Sequence, residues 1–247
     1  MELLTGLVTP NRIRAALDKL PQKLPDAYGE VMERIYRQDE DQRIMAVTAL
    51  TWIAHAKERL KVDILLHAIA VCLEPKRTDV NEYDLVDVEL LLSSCGGLVI
   101  VNKEDRVIRL VHFTTQDYLE TRFPSVDANT SIATTCLTYL GFHMFSDPPE
   151  NKDALEDLMN KYALSGYAAV YWGDHAREGR EEDIEQLILS TLRTQEMRDM
   201  TGRFHFHRYS GFSEPARFSR LHLFSIHGLS RLCSTVLNQD VVLLVLI

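Results

Sequence analysis

The sequence predicts a mainly α fold in which several amphipathic helices are closed by one small β-hairpin and then followed by helical hairpins. Three observations point to it. Apolar residues recur at three- and four-residue spacing through most of the chain. The period switches to a sustained extended pattern around residues 98–111. Proline, glycine and charged clusters punctuate the helical runs at helix-length intervals. At 247 residues with 46% hydrophobic composition, the chain is long and apolar enough to bury a sizeable core.

Taken in order, Asn11 is positioned to cap a short helix carrying Ile13, Ala16, Leu17 and Leu20, which Pro21 ends. A second helix begins near Pro25-Asp26, with Tyr28, Val31, Met32 and Ile35 on one face. The charged break Arg37 to Asp41 separates it from a third, striped by Ile44, Val47, Leu50, Ile53 and Ala54. Leu60-Lys61-Val62 reads as an extended approach to Asp63, the expected N-cap of an apolar helix Ile64 to Val71. After the charged loop Pro75 to Asp84, Asp87 should cap Val88 to Ser94. Cys95-Gly96-Gly97 should end that helix, because glycine tolerates the left-handed conformation that follows a helix C-terminus.

Leu98-Val99-Ile100-Val101 and Val107-Ile108-Arg109-Leu110-Val111 then flank the polar turn Asn102 to Arg106, which is a β-hairpin. Its turn has no glycine, so a slightly open loop is expected. Thr114-Thr115-Gln116-Asp117 has the form of a capping box, opening a helix that runs toward Phe123 and stops at Pro124. Helices closed by a hairpin and a further helix give a winged-helix arrangement. From Ser131, the stripe Ile132, Cys136, Tyr139 and Leu140 marks another helix. Ala154 to Met159, Tyr162 to Trp172 and Ile184 to Leu192 are further candidates, and the charged stretch Arg177 to Asp183 reads as a solvated connection between the last two. Thr201 to Ala216 has no clear period and is expected to be a loop, after which Arg220-Leu221-His222-Leu223 opens a last helical unit.

The stretches Ala16-Leu17-Asp18-Lys19-Leu20-Pro21, Leu24-Pro25-Asp26-Ala27-Tyr28, Ala49-Leu50-Thr51-Trp52-Ile53, Cys95-Gly96-Gly97-Leu98-Val99 and Leu110-Val111-His112-Phe113-Thr114-Thr115-Gln116-Asp117-Tyr118-Leu119 come in a telling order. They resemble the winged-helix domain that follows the nucleotide-binding NACHT domain in large fungal signalling NTPases, a domain also named after the GPI inositol-deacylase winged helix. Cys136-Leu137-Thr138-Tyr139-Leu140 and Tyr167-Ala168-Ala169-Val170-Tyr171-Trp172-Gly173-Asp174-His175 are similar to the helical segment that joins this domain to ankyrin repeats. The segment Arg220 to Leu229 looks like the start of an ankyrin unit without the usual threonine-proline opening. The resemblance extends over about residues 11 to 195. It implies an N-terminal linker and helix over 1–22, a winged-helix domain over 23–125, a helical linker over 126–200, and a loop with a degenerate ankyrin-like unit over 201–247. The apolar end Val241 to Ile247 is unlike the polar cap of a repeat array, so the array is expected to be incomplete and its end prone to disorder or aggregation.

Chemistry is not spelled out anywhere in the chain. No Gly-Lys pair exists from which a P-loop could be built, so the NTPase domain of the resembling family is absent, and no Gly-x-Ser-x-Gly elbow supports an esterase. Cys72, Cys95, Cys136 and Cys233 lie far apart and read as reduced, buried thiols. His205 and His207, with His222 and His227, lack a cysteine or acid at ligand spacing and read as loop and packing residues. His112 with Asp117 stands at a strand-to-helix corner without a nucleophile, where the imidazole is expected to fix the corner. Trp52 and Trp172 read as core. No catalytic, cofactor-binding or metal residue is therefore expected. Asn129-Thr130-Ser131 spells a glycosylation acceptor, but the N-terminus has no secretory leader pattern and no run approaches a membrane span, so a cytoplasmic protein is expected.

Two functions follow. The resemblance implies a non-catalytic regulatory and protein-interaction module, whose partners include a NACHT NTPase domain in cis or in trans. The alternative is a DNA-binding winged helix, in which the helix before the hairpin enters the major groove. Leu85 to Cys95 contains Asp87 and Glu89 but no Lys or Arg, and the chain carries 36 acidic against 27 basic residues for a net charge of −9. That charge has the wrong sign for a phosphate backbone, so nucleic acid is not an expected partner, and with no apolar run approaching a span neither is a membrane.

Overall fold

The computed structural model describes residues 24–149, 151–210 and 217–245. The expected helix over Asn11 to Leu20 lies outside the described residues, and no side chain of Val241–Ile247 is among them. The architecture is mainly α with one two-stranded antiparallel sheet. The first half comprises α1 (Leu24–Tyr36), α2 (Glu40–His55), α3 (Val62–Leu73), a 3-10 turn (Glu82–Asp84), α4 (Val88–Ser94), β1 (Val99–Val101), β2 (Ile108–Leu110) and α5 (Phe113–Arg122). This is the helix order and hairpin of a winged helix.

Local chemistry sets most of these boundaries. Asp87 caps α4 by accepting hydrogen bonds from the backbone N–H groups of Glu89 and Leu90. Gly96 follows the helix at φ +60°, a left-handed conformation beside Val31 and Ile35 that a β-carbon would both strain and crowd. The hairpin pairs Val99 with Leu110, Ile100 with Arg109 and Val101 with Ile108. Its turn closes through Asn102 N–H to the Val107 carbonyl, helped by Asn102 and Asp105 side chains that accept from Glu104 and Val107 N–H.

In this half, the starts of α3 and α5 differ from the sequence reading. α3 begins at Val62, with Lys61 rather than Asp63 at the cap, because Lys61 bridges to Val107 and the Val62 N–H donates to the Arg106 carbonyl. Strand pairing thus delivers the backbone directly into the helix, and Asp63 pairs instead with Arg106 at 2.9 Å. α5 begins at Phe113, one residue before Thr114. Its cap is His112, whose Nδ1 accepts from the Thr114 N–H, so the imidazole does the work assigned to the threonine.

The second half comprises α6 (Ser125–Leu140), a 3-10 turn (His143–Phe145), α7 (Lys152–Lys161), α8 (Leu164–Glu178), α9 (Glu181–Thr191), α10 (Gln195–Ser210), α11 (Arg220–Ile226) and α12 (Ser230–Val245). α6 starts six residues before the expected Ser131, directly after Pro124, because the polar run Asp127–Ser131 hides a helix whose Ala128 and Asn129 are buried. The expected loop over Thr201 to Ala216 is helical as far as Ser210, and Gly211–Ala216 lie outside the described residues. Continuous burial of Met200, Thr201, Arg203, Phe204 and His205 explains the miss, since polar residues on the buried face erase the apolar period. α10 accordingly runs through position 200.

The two halves share a core. α6 lies between them, packing on α2 and α3 on one side and on α8 and α9 on the other. Trp52 of α2, 1% exposed, meets the Tyr167 ring of α8 at 5.3 Å between centroids. Further along, Tyr139, Phe142, Phe145 and Phe204 interlock, and Trp172 packs on Phe224 of α11. Each fully buried large apolar side chain contributes about 1.5–3 kcal/mol, so this aromatic seam is a large part of what holds the halves together.

Candidate docking surface

Three histidines link helices through hydrogen bonds inside the molecule. Asn129 of α6 donates from Nδ2 to the Ser125 carbonyl at 2.9 Å and turns Oδ1 toward His175 Nδ1 at 2.6 Å. Because the amide oxygen only accepts, His175 Nδ1 carries the proton, and Nε2 is left to accept from the Tyr167 hydroxyl at 2.8 Å. That hydroxyl in turn accepts from the Lys57 backbone N–H at 3.1 Å. Every group in the chain is satisfied by a neutral imidazole, and burial, with help from the Lys57 and His55 charges, pushes the His175 pKa down to about 3. With Asn129 only 2% exposed and its amide already committed, the acceptor spelled by Asn129-Thr130-Ser131 is closed to glycosylation in the folded protein.

A second link joins His67 of α3 to Tyr139 of α6 at 2.8 Å, and burial lowers the His67 pKa to about 4. A third uses His55, whose Nε2–H donates to the Phe123 carbonyl at 3.0 Å. None of the three histidines was read from the sequence as a residue that links helices. His67 inside the apolar run Ile64 to Val71 was the available signal, since a histidine there must find a buried partner.

The residues weighed for chemistry are distributed otherwise. His112 holds the strand-to-helix corner and also contacts Thr114 Oγ1 at 2.8 Å, while Asp117 is exposed one turn along α5. His205 and His227 come together edge to face at 5.4 Å between ring centroids, both buried. His205 Nδ1–H donates to the Ala169 carbonyl, His222 joins Ser219 in capping α11, and His207 faces Glu156 at 3.6 Å. Among the described residues, no three His, Cys, Asp or Glu side chains converge where they could hold a metal ion. The four cysteines are unpaired thiols. Burial pushes Cys95 up to about 12 and raises Cys72 and Cys136, which disfavours the nucleophilic thiolate. Trp52 and Trp172 are core. Arg177 to Asp183 is largely helical, broken at Gly179-Arg180, and Arg180 pairs with Asp127 and Asp183. Among the described residues, no helix is long and apolar enough to cross a membrane.

Two exposed surfaces lie on the winged helix. The outward face of α4 presents Asp87, Glu89, Ser93 and Leu90, the last 42% exposed, with no cation among them. At the base of the hairpin, a cleft of about 510 Å³ opens between the α2–α3 connection, β2 and the start of α5. Phe113, 73% exposed, lines it, its ring tilted against that of His112 at 4.4 Å between centroids. These surfaces offer apolar contact and fixed charge, the materials of a protein interface.

No curated protein and no solved structure matches this chain. Residues 32–133, from within α1 to the middle of α6, match the family model described as GPI inositol-deacylase, winged helix domain.

Proposed function

We propose that this chain is a non-catalytic regulatory and protein-interaction module, a fragment of a NACHT-ankyrin signalling protein working in the cytoplasm, with a NACHT NTPase domain in cis or in trans among its protein partners. The observation that carries the reading is the outward face of α4. In a DNA-reading winged helix this face meets the phosphate-lined major groove, and here it bears Asp87, Glu89 and exposed Leu90 without a cation. The family match over residues 32–133 supports the regulatory assignment. The helix-turn-helix of α11 and α12, turning at Gly228 with φ +67°, is the feature that favours an ankyrin-type continuation.

The test is fluorescence anisotropy of the purified chain with duplex DNA at about 50 and about 200 mM salt, a range over which phosphate-driven binding weakens by orders of magnitude. We expect no saturable binding at either salt. A tight, strongly salt-dependent complex would replace this reading with the DNA-binding one.

A further inference from the structure

The two-stranded hairpin makes one further antiparallel backbone contact, an isolated bridge beside β2. Beyond the β1–β2 pairing, residues 60–62 run antiparallel to β2 on its other side: the Ile108 N–H donates to the Leu60 carbonyl and the Val62 N–H to the Arg106 carbonyl. The pairing then stops. Alternation along β2 directs the Leu110 N–H and carbonyl, and the Ile108 carbonyl, away from β1. Among the described residues these three groups have no hydrogen-bond partner.

The register explains why pairing ends there. One residue beyond the Leu60–Ile108 pair, Arg59 would stand opposite Arg109, and like charges directly opposite one another repel. The strands part at that point and leave the 510 Å³ cleft, which both arginines line. Both are exposed, and neither has a carboxylate partner among the described residues. The nearby acids are committed elsewhere: Glu58 to Arg208 at 2.6 Å, Asp63 to Arg106 at 2.9 Å, and Asp105 to the Val107 N–H.

We propose that this cleft is a strand-addition site for an acidic, extended peptide segment of a protein partner. The peptide pairs its backbone with Leu110, sets a carboxylate between Arg59 and Arg109, and rests an apolar side chain on Phe113. Each part answers an unmet need: unpaired backbone groups accept a strand, two exposed arginines lining one cleft accept a carboxylate, and an exposed aromatic ring accepts an apolar anchor. The inference rests on the reading of the chain as a partner-docking module and names the site and the chemistry of its ligand.

The experiment is selection of a random 12-residue peptide library displayed on phage against the whole chain, followed by binding of the selected peptides in labelled form. The expected consensus alternates Asp or Glu with apolar residues. Arg109→Glu and Arg59→Glu should each weaken binding at least about tenfold without moving the thermal midpoint, replacing the peptide's acid by Lys should restore binding to Arg109→Glu, and the Leu110 amide should gain exchange protection. Peptides without carboxylates, indifference to both substitutions, or recovery of no binding peptide overturns the site. Selected peptides that protect α4 instead sink the cleft while leaving the docking-module reading standing. Salt-sensitive DNA binding through the same two arginines sinks both.

Discussion

The imidazole of His227 fills the space that a side chain would need at Gly173, so that a β-carbon on residue 173 would fall on the Cβ and Cγ of His227. This contact seats the turn between α11 and α12 on the middle of α8, beside Trp172, whose ring lies 4.7 Å from that of His227. A mid-helix glycine costs α8 about 1 kcal/mol relative to alanine. Close approach of the following helix pair is what that cost secures.

Gly173→Ala should therefore destabilise the protein in spite of its better helix propensity. Overpacking of this kind costs about 1–3 kcal/mol, which outweighs the propensity gain. The loss should be concentrated in α11 and α12, read as faster amide exchange there than in α2 and α3. Unchanged exchange in α11 and α12 would show that the turn is not seated on Gly173.

Acid should unfold the protein before its carboxylates titrate. Burial is the main cause that lowers the pKa of His67 to about 4 and those of His175 and His227 to about 3, with the His205 and Arg177 charges adding to the last. Unfolded, each returns to about 6.5 and binds a proton that the folded form refuses, so stability is whole above pH 6.5 and is lost as pH falls toward the folded values. Between pH 6.5 and 5 this amounts to roughly 1.5 kcal/mol per histidine, or about 5 kcal/mol for the three. Urea unfolding at pH 7, 6 and 5 measures it, and a midpoint that stays level across that range would refute the neutral-imidazole assignment.

Removing one member of the α6–α8 link should cost more than its single hydrogen bond. Asn129→Ala takes away the acceptor for His175 Nδ1–H and leaves that donor buried, at about 1–3 kcal/mol. The imidazole tautomer is then no longer fixed, and the nitrogen-15 shifts of His175, distinct for its two nitrogens in the native protein, should move toward each other. A variant with native stability and unchanged His175 shifts would show that the link carries no energy.

The parts of this fold governed by local chemistry could be read from the sequence. The hairpin showed itself as a change of period, α4 through Asp87 and Gly96, and the two tryptophans through their apolar stripes. Features set by distant partners could not. α10 was hidden because Thr201, Arg203 and His205 are buried polar residues, and the start of α6 because Asn129 finds its partner 46 residues away. The opposition of Arg59 and Arg109 depends on a strand register between Leu60 and Ile108 that no local pattern records.

A continuous core makes a prediction about cooperativity. Trp52 lies in the winged-helix half and Trp172 in the helical half, at 1% and 0% exposure, so Trp52→Phe and Trp172→Phe each leave a single fluorophore reporting on one half. Were the halves independent domains, their urea midpoints would differ, because nothing requires two separate cores to have equal stability. The seam formed by α6, the Trp52–Tyr167 contact and the Asn129–His175–Tyr167 link instead ties the unfolding of one half to exposure of the other. The two variants should give superimposable normalised transitions, once each is compared with its own far-ultraviolet circular dichroism curve to remove the effect of the substitution itself. Two separated midpoints, each matching only part of the dichroism change, would show that the winged helix and the helical region fold as separate units.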